Sequence, residues 1–439
     1  MKKDIYALYL LSLSIIFVIL FTFSSRDLVG LSSILIVSLV IIFLGMRYPK
    51  AASILYVSLS LRILVMILGN YIALPDTTGD AYWFELKAYE WSLRGFPDVL
   101  FSIGQCEDCN VSFDKNTFGS SFIISFIIGI LYSLTDRSIM MAQSLSILLG
   151  TLSVLLSWIL ARKLWDNGTA IKVGWFVALF PSLILYSVLI MREIYVCFFL
   201  LITFYNLVNW NHNGSLKSFF FVIFGFILGT FFHGGVFLGL LIFLIAVFLK
   251  NINKFIRKLF HNIIALKPLL AFLLIISAIS FYGAKDLYIP KIGTITDFDK
   301  IKKNVLKKNI VTHKGDAKYP DWVIAKSENE LIYKLPIKAM YFIFSPFPWE
   351  IKKTSHLLGM IDSFLHIFLV YLIIQNRKAI WVDPTLRIIF FILLTYLLVY
   401  GVAVGNFGTG IRHRAKFIFM FILLAAPLLP KFTFSRKIK

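Results

Sequence analysis

Long apolar runs, each closed by a short polar or basic stretch, set the pattern of this chain. Runs near 5–23, 28–46, 51–70, 138–161, 171–190, 194–210, 217–232, 234–249, 268–283, 356–374, 386–404 and 415–430 each approach the roughly 20 helical residues needed to span about 30 Å of hydrocarbon. They predict twelve crossings in an all-α, polytopic transmembrane helical bundle that forms one integral-membrane domain over 1–439. One apolar run, 119–135, is left over and decides the topology. If it does not cross, the short basic segments fall on one side: Lys2 and Lys3, Arg47 and Lys50, Arg162, Lys163 and Lys172, the 250–267 cluster, Arg377, Lys378 and Arg387, and the 431–439 tail. Basic loops stay cytoplasmic, so 119–135 reads as an interfacial or re-entrant helix.

Two long segments then lie outside. The first, 71–118, is acidic, with eight carboxylates (Asp76, Asp80, Glu85, Glu90, Asp98, Glu107, Asp108, Asp114) against Lys87, Arg94 and Lys115. From Ala81, the positions Tyr82, Phe84, Leu86, Tyr89 and Leu93 recur at a loose helical spacing, and Gly95-Phe96-Pro97 stops the run, which predicts a short amphipathic helix. The second segment, 284–355, is a large basic external loop of little period, ending in the aromatic turn "FSPFPWE" (344–350).

Composition narrows the class. With 59% hydrophobic residues, 15% charged residues and 44 phenylalanines, the chain is too apolar for a water-soluble globule. Its formal net charge of +21 fits cytoplasmic loops facing anionic membrane lipids, so no nucleic-acid partner is expected. Met1-Lys2-Lys3 precedes an apolar run with no small-residue cleavage pattern, so the first helix is expected to remain as an anchor. Cys106 and Cys109 form a single CxxC, suited to a short disulfide in an oxidising compartment, and Cys197 reads as core. Neither a metal site nor a cofactor is expected: His233 has no second His at helical spacing, and one CxxC holds too few ligands for zinc.

The topology has a consequence for chemistry. Four polar groups at helix ends face the same external side: the Asp80 loop, Met191-Arg192-Glu193, His233-Gly234-Gly235, and Gly410-Ile411-Arg412-His413-Arg414. Charges near hydrocarbon cost free energy unless they line a wet site or pair with each other, so one shared cavity is expected, with interfacial anchoring as the alternative for each group taken singly. Asp80 reads as a general base or as a helix N-cap. Arg412 and Arg414 suit two-point contacts to phosphate oxygens, and Gly405, Gly408 and Gly410 would let backbone approach such a headgroup. His233, in "FFHGGVF", reads as a structural imidazole or as a contact to donor phosphate or sugar.

The first external loop with "GDAYWFELKAYEW", the interfacial helix, and "SLSILLGTLSVLLSWILARKLWDNGTAIKVGWFVALFPSLILYSVLIMRE" (144–193) together resemble the GT-C superfamily of integral-membrane glycosyltransferases, of the protein O-mannosyltransferase and aminoarabinose-transferase type. The resemblance covers roughly 50–210 and lies in order and spacing. It implies a GT-C-like fold, a polyprenyl-phosphate or polyprenyl-pyrophosphate sugar donor, and a catalytic or acceptor-binding carboxylate at Asp80, with Asp76 as the rival. It places a second acidic site at Glu193. Metal-binding family members carry two carboxylates there, where this chain has Arg192-Glu193, so the resemblance leaves metal dependence open. "GNFGTGIRHRAKFIFMFILLAAPLLP" (405–430) is similar to basic clusters before the last helix of bacterial membrane glycosyltransferases and O-antigen polymerases.

The expectation is therefore an enzyme of a bacterial-type inner (cytoplasmic) membrane with its site facing the periplasm or exterior. It transfers a sugar or oligosaccharide from a polyprenyl-linked donor to a saccharide or lipid-linked acceptor. Asp80, Asp76 and Glu193 are the expected catalytic residues, and Arg192, His233, Arg412, His413 and Arg414 the expected ligands of donor phosphate. The alternatives are a repeat-unit polymerase of O-antigen or capsule, which would lean on the arginines more than on Asp80, and a lipid-saccharide flippase, which should show internal repeats that are not evident here.

Overall fold

The computed structural model describes residues 2–72, 74, 79–101, 122–259, 288–289, 293–294 and 298–431. Asp76, Cys106, Cys109 and the 268–283 run lie outside the described residues. Among those described, regular structure is helical apart from one antiparallel pair of two-residue strands, Tyr288–Ile289 and Gly293–Thr294. Seven helices are long and apolar enough to cross a membrane: Lys2–Ser25, Leu28–Arg47, Pro49–Leu68, Ile139–Leu164, Arg192–Asn213, Ser355–Gln375 and Pro384–Ala403. Large apolar side chains such as Phe17, Leu20, Leu39 and Phe43 point outward from the first two of these helices, as the hydrocarbon of a bilayer requires.

Four other expected crossings take a different form. The 171–190 run is divided into Asn167–Leu179 and Pro181–Tyr186. Pro181 has no amide hydrogen to donate and pushes Phe180 into extended backbone, which ends the first helix. The runs at 217–232 and 234–249 are the 17-residue helix Leu216–Phe232 and the start of Phe237–Leu259, separated by a 3₁₀ turn at Gly234–Val236. The 415–430 run is the eight-residue helix Ile418–Ala425 and a 3₁₀ turn, Ala426–Leu428. Every residue from Ile418 to Ala425 is buried. That run is apolar all round because protein encloses it, packed against Ser355–Gln375, Pro384–Ala403, Asn167–Leu179 and Ile139–Leu164.

The leftover run is the 13-residue helix Phe122–Leu134, about 20 Å long at 1.5 Å per residue and short of the bilayer's thickness. It packs against the 13-residue helix Asp80–Ser92, where the amphipathic helix was expected. Ser125 Oγ donates to the Phe84 carbonyl at 2.9 Å, and Tyr132 Oη donates to Glu85 Oε1 at 3.1 Å. Arg137 completes the joint with two bonds to Glu85, at 2.9 and 2.8 Å.

The 284–355 segment is more regular than its composition suggests. It contains the helices Phe298–Thr312, Glu328–Tyr333 and Leu335–Phe344. In the first, Val305, Leu306 and Asn309 turn inward while Lys303 and Lys307 face out. Leu335–Phe344 packs against Pro384–Ala403.

Candidate functional site

The site forms where four chain segments stop being regular helix. Arg192 and Glu193 open the helix Arg192–Asn213, and a carboxylate in a first turn is favoured by the unpaired amide hydrogens there. Just before it, residues 187–191 are not helical. A buried arginine holds this stretch: Arg62 Nε donates to Ser187 Oγ at 2.8 Å, and Arg62 Nη1 donates to the Ser58 carbonyl at 3.0 Å and to Ser58 Oγ at 2.5 Å. Gly150 makes the approach possible, since a Cβ there would fall 2.5 Å from Ser187 Cβ and 2.8 Å from Arg62 Nε.

Arg412, on the short helix Phe407–Arg414, is the centre. Its Nη2 donates to Asp80 Oδ2 at 2.5 Å and its Nε to Glu193 Oε1 at 2.9 Å, so one guanidinium joins two carboxylates from distant parts of the chain. Lys416 Nζ stands 3.4 Å and Arg192 Nε 3.8 Å from the same Glu193 oxygen. Three cations therefore face two carboxylates, leaving one positive charge in excess. Glu193 is fully buried, whereas the Asp80 side chain is 46% exposed and forms the open edge of the cluster. Glu193 Oε2 has no hydrogen-bond partner among the described residues.

Histidines and a tyrosine line the next layer. Tyr400 Oη and His233 Nδ1 are 2.6 Å apart, and the Gly235 amide donates to the same ring nitrogen at 3.2 Å. His413 meets both: its ring centroid is 5.4 Å from that of His233 and 5.1 Å from that of Tyr400. Lys416 Nζ is 2.7 Å from His413 Nδ1 and lies over the Tyr400 ring.

Arg414 belongs to a different cluster. It is fully buried, donating to the carbonyls of Phe342 and Ile343, with Nη2 3.1 Å from Asp362 Oδ2. His366 Nδ1 lies 3.2 Å from the same carboxylate oxygen. On a helix, residues two apart point to different faces, so Arg412 and Arg414 diverge, and the two arginines expected to share one site lie in separate clusters. Asp80 is not the helix N-cap: Gly79 holds that position, and the Asp80 carboxylate reaches Arg412 instead.

Of the three glycines expected near a headgroup, Gly405 is approached by protein backbone. A Cβ on Gly405 would fall 2.5 Å from the Asn309 carbonyl oxygen, because backbone from the 284–355 segment crosses there. The crossing is bonded from both sides: Tyr319 N donates to the Gly405 carbonyl at 3.0 Å, Phe407 N to the Ala317 carbonyl at 2.9 Å, and Asn406 Nδ2 to the Thr312 carbonyl at 2.6 Å. Lys338 Nζ ties the two layers, donating to Asn309 Oδ1 at 2.6 Å and to the Val404 carbonyl at 3.0 Å. The 284–355 segment thus straps the helix that carries Arg412.

Of the residues expected at the site, Asp80, Arg192, Glu193, His233, Arg412 and His413 come together, Arg414 does not, and Asp76 lies outside the described residues. Sequence reasoning missed Lys416, one helical turn beyond Arg412, and Tyr400, which carries no charge to mark it. Among the described residues no cluster of three His, Cys, Asp or Glu side chains is arranged to hold a metal ion. Comparison with family models, with curated proteins and with solved structures gives no match for this chain.

Proposed function

We propose that the protein is a membrane-embedded glycosyltransferase that moves a sugar or oligosaccharide from a polyprenyl-phosphate or polyprenyl-pyrophosphate donor to an acceptor hydroxyl. The observation that carries this reading is the Arg412 bridge: a partly open carboxylate and an excess of positive charge held together at the ends of apolar helices. Such a site suits a substrate with an anionic headgroup on a lipid chain, because the cations offset phosphate charge while the apolar surround accommodates the chain.

In the proposed reaction, donor phosphate takes the Arg412 donors that hold Asp80 in the resting protein. Freed from the guanidinium, the Asp80 carboxylate can hydrogen-bond the acceptor hydroxyl in its place and accept its proton. The acceptor oxygen bonds to the anomeric carbon as the bond from that carbon to the phosphate oxygen breaks, with inversion. The electron pair leaves on the phosphate, whose charge Arg412, Lys416 and Arg192 stabilise. Glu193, buried beneath, holds Arg412 in register.

The second reading, a repeat-unit polymerase, is favoured by the Arg412–Asp80 contact itself, since Asp80 is then engaged by the guanidinium rather than turned to an acceptor, and arginine-led phosphate binding carries more of the chemistry. One experiment separates the two. Purified protein in lipid nanodiscs is incubated with a polyprenyl-phosphate monosaccharide and, separately, with a polyprenyl-pyrophosphate oligosaccharide. A gain of one unit on an added acceptor supports the transferase, and a ladder of products supports the polymerase. Absence of product from both donors over a panel of acceptors would sink both.

A further inference from the structure

A polar recess that shares no residue with the Arg412 cluster lies where four membrane-length helices end together. It encloses about 550 Å³ between the end of Lys2–Ser25, the start of Leu28–Arg47, the end of Pro49–Leu68 and the start of Ile139–Leu164. Its floor is apolar, with Phe21, Met66 and Met140. Because these helices end here, the recess lies at the level where hydrocarbon gives way to headgroups.

Its charges sort into two kinds. Asp27 and Arg137 are engaged within the protein: Asp27 accepts from Ser138 Oγ at 2.7 Å and from Gly30 N at 2.8 Å, and Arg137 is bonded to Glu85. Arg26 and Asp136 also line the recess, and neither side chain has a partner among the described residues, nor do the two pair with each other. Among the described residues, the recess therefore offers one free cation and one free anion that do not pair with each other. Arg26 is the one described non-glycine residue with positive φ, at 56°, a conformation that residues with a Cβ disfavour. Its amide, donating to the Thr22 carbonyl at 2.7 Å, closes the end of the first helix in this shape. From the recess, outward-facing Leu20, Phe17 and Leu13 run down the first helix at helical spacing and supply a path for acyl chains.

We propose that this recess binds a zwitterionic phospholipid carrying a primary ammonium, with its phosphate on Arg26, its ammonium on Asp136 and its acyl chains along the outer face of the first helix. An anionic phospholipid with a neutral headgroup alcohol would satisfy Arg26 but bring no cation to Asp136, so the charge pattern favours the headgroup that carries the ammonium. The proposal is independent of the transferase reading.

Native mass spectrometry of the purified protein tests it, with phosphatidylethanolamine and phosphatidylglycerol of identical chains added at equal concentration. Wild type should retain the ethanolamine lipid about fivefold more strongly, and Arg26→Gln and Asp136→Asn should each weaken its retention about fivefold, the scale expected for one charge near the membrane surface. Glutamine has the same unbranched stem as arginine, so the backbone at residue 26 meets the same steric demand, and both positions are exposed. Asp136→Asn should also remove the preference over phosphatidylglycerol. Equal retention of the two lipids by wild type, or undiminished retention of the ethanolamine lipid by both variants, would overturn the proposal.

Discussion

Asp80 and Glu193 share one arginine and differ in everything else that decides what a substitution does. Asp80 is half-exposed, so Asp80→Asn should leave thermal stability near that of wild type while turnover falls by ~10²–10⁴-fold, the span for loss of a general base. Glu193 is fully buried among Arg412, Lys416 and Arg192, so Glu193→Gln leaves three crowded cations with only the half-exposed Asp80 as counterion. That change should cost about 3–5 kcal/mol, as breaking a buried pair does, and appear as a lower melting temperature and reduced yield. Measuring both variants side by side separates base from scaffold: equal stability losses would return Asp80 to a structural role. At this scale the sequence was informative wherever a charge interrupts hydrocarbon, which is how Arg192, Glu193 and Arg412 were found. Arg62 and Asp362 interrupt hydrocarbon too, and the same physical signal would have found them. What the sequence does not carry is direction, since Arg412 and Arg414 look alike on paper and turn to opposite neighbours.

Among elements, apolar runs announce helices well and crossings less well. The run at 418–425 is as apolar as any span, yet it owes that character to enclosure by protein, and hydropathy alone does not distinguish a lipid neighbour from a phenylalanine. Proline gave the missing cue at residue 181, where the expected crossing divides. The helix Ile139–Leu164 is the firmest test of sidedness, because its 26 residues rise about 39 Å, enough to set its two ends on opposite faces of a bilayer. In a background with Cys106 and Cys109 replaced by serine, a cysteine at Thr135 should react with an impermeant thiol reagent in intact cells, and one at Gly168 should react only after permeabilisation. Labelling of both in intact cells would dismiss the proposed orientation.

Over the whole molecule, Arg412 stands 219 residues beyond Glu193 and 332 beyond Asp80, and its helix is pinned by backbone bonds from the 309–319 stretch. Deleting the chain from Phe407 onward would remove Arg412, Lys416 and the enclosed 418–425 helix while keeping all seven membrane-length helices. Such a protein should insert and yet be degraded, with a pulse-chase half-life well below that of the full chain; equal half-lives would show that the buried Glu193 tolerates the loss of its partners. The same spacing has a consequence for biogenesis. At about 5–20 residues per second, a ribosome needs on the order of 10 s to a minute to pass from these carboxylates to the arginine that joins them. For that interval Glu193 has, of the three cations that face it in the folded protein, only its neighbour Arg192, so the charge cluster stays half-built until Arg412 and Lys416 have been made.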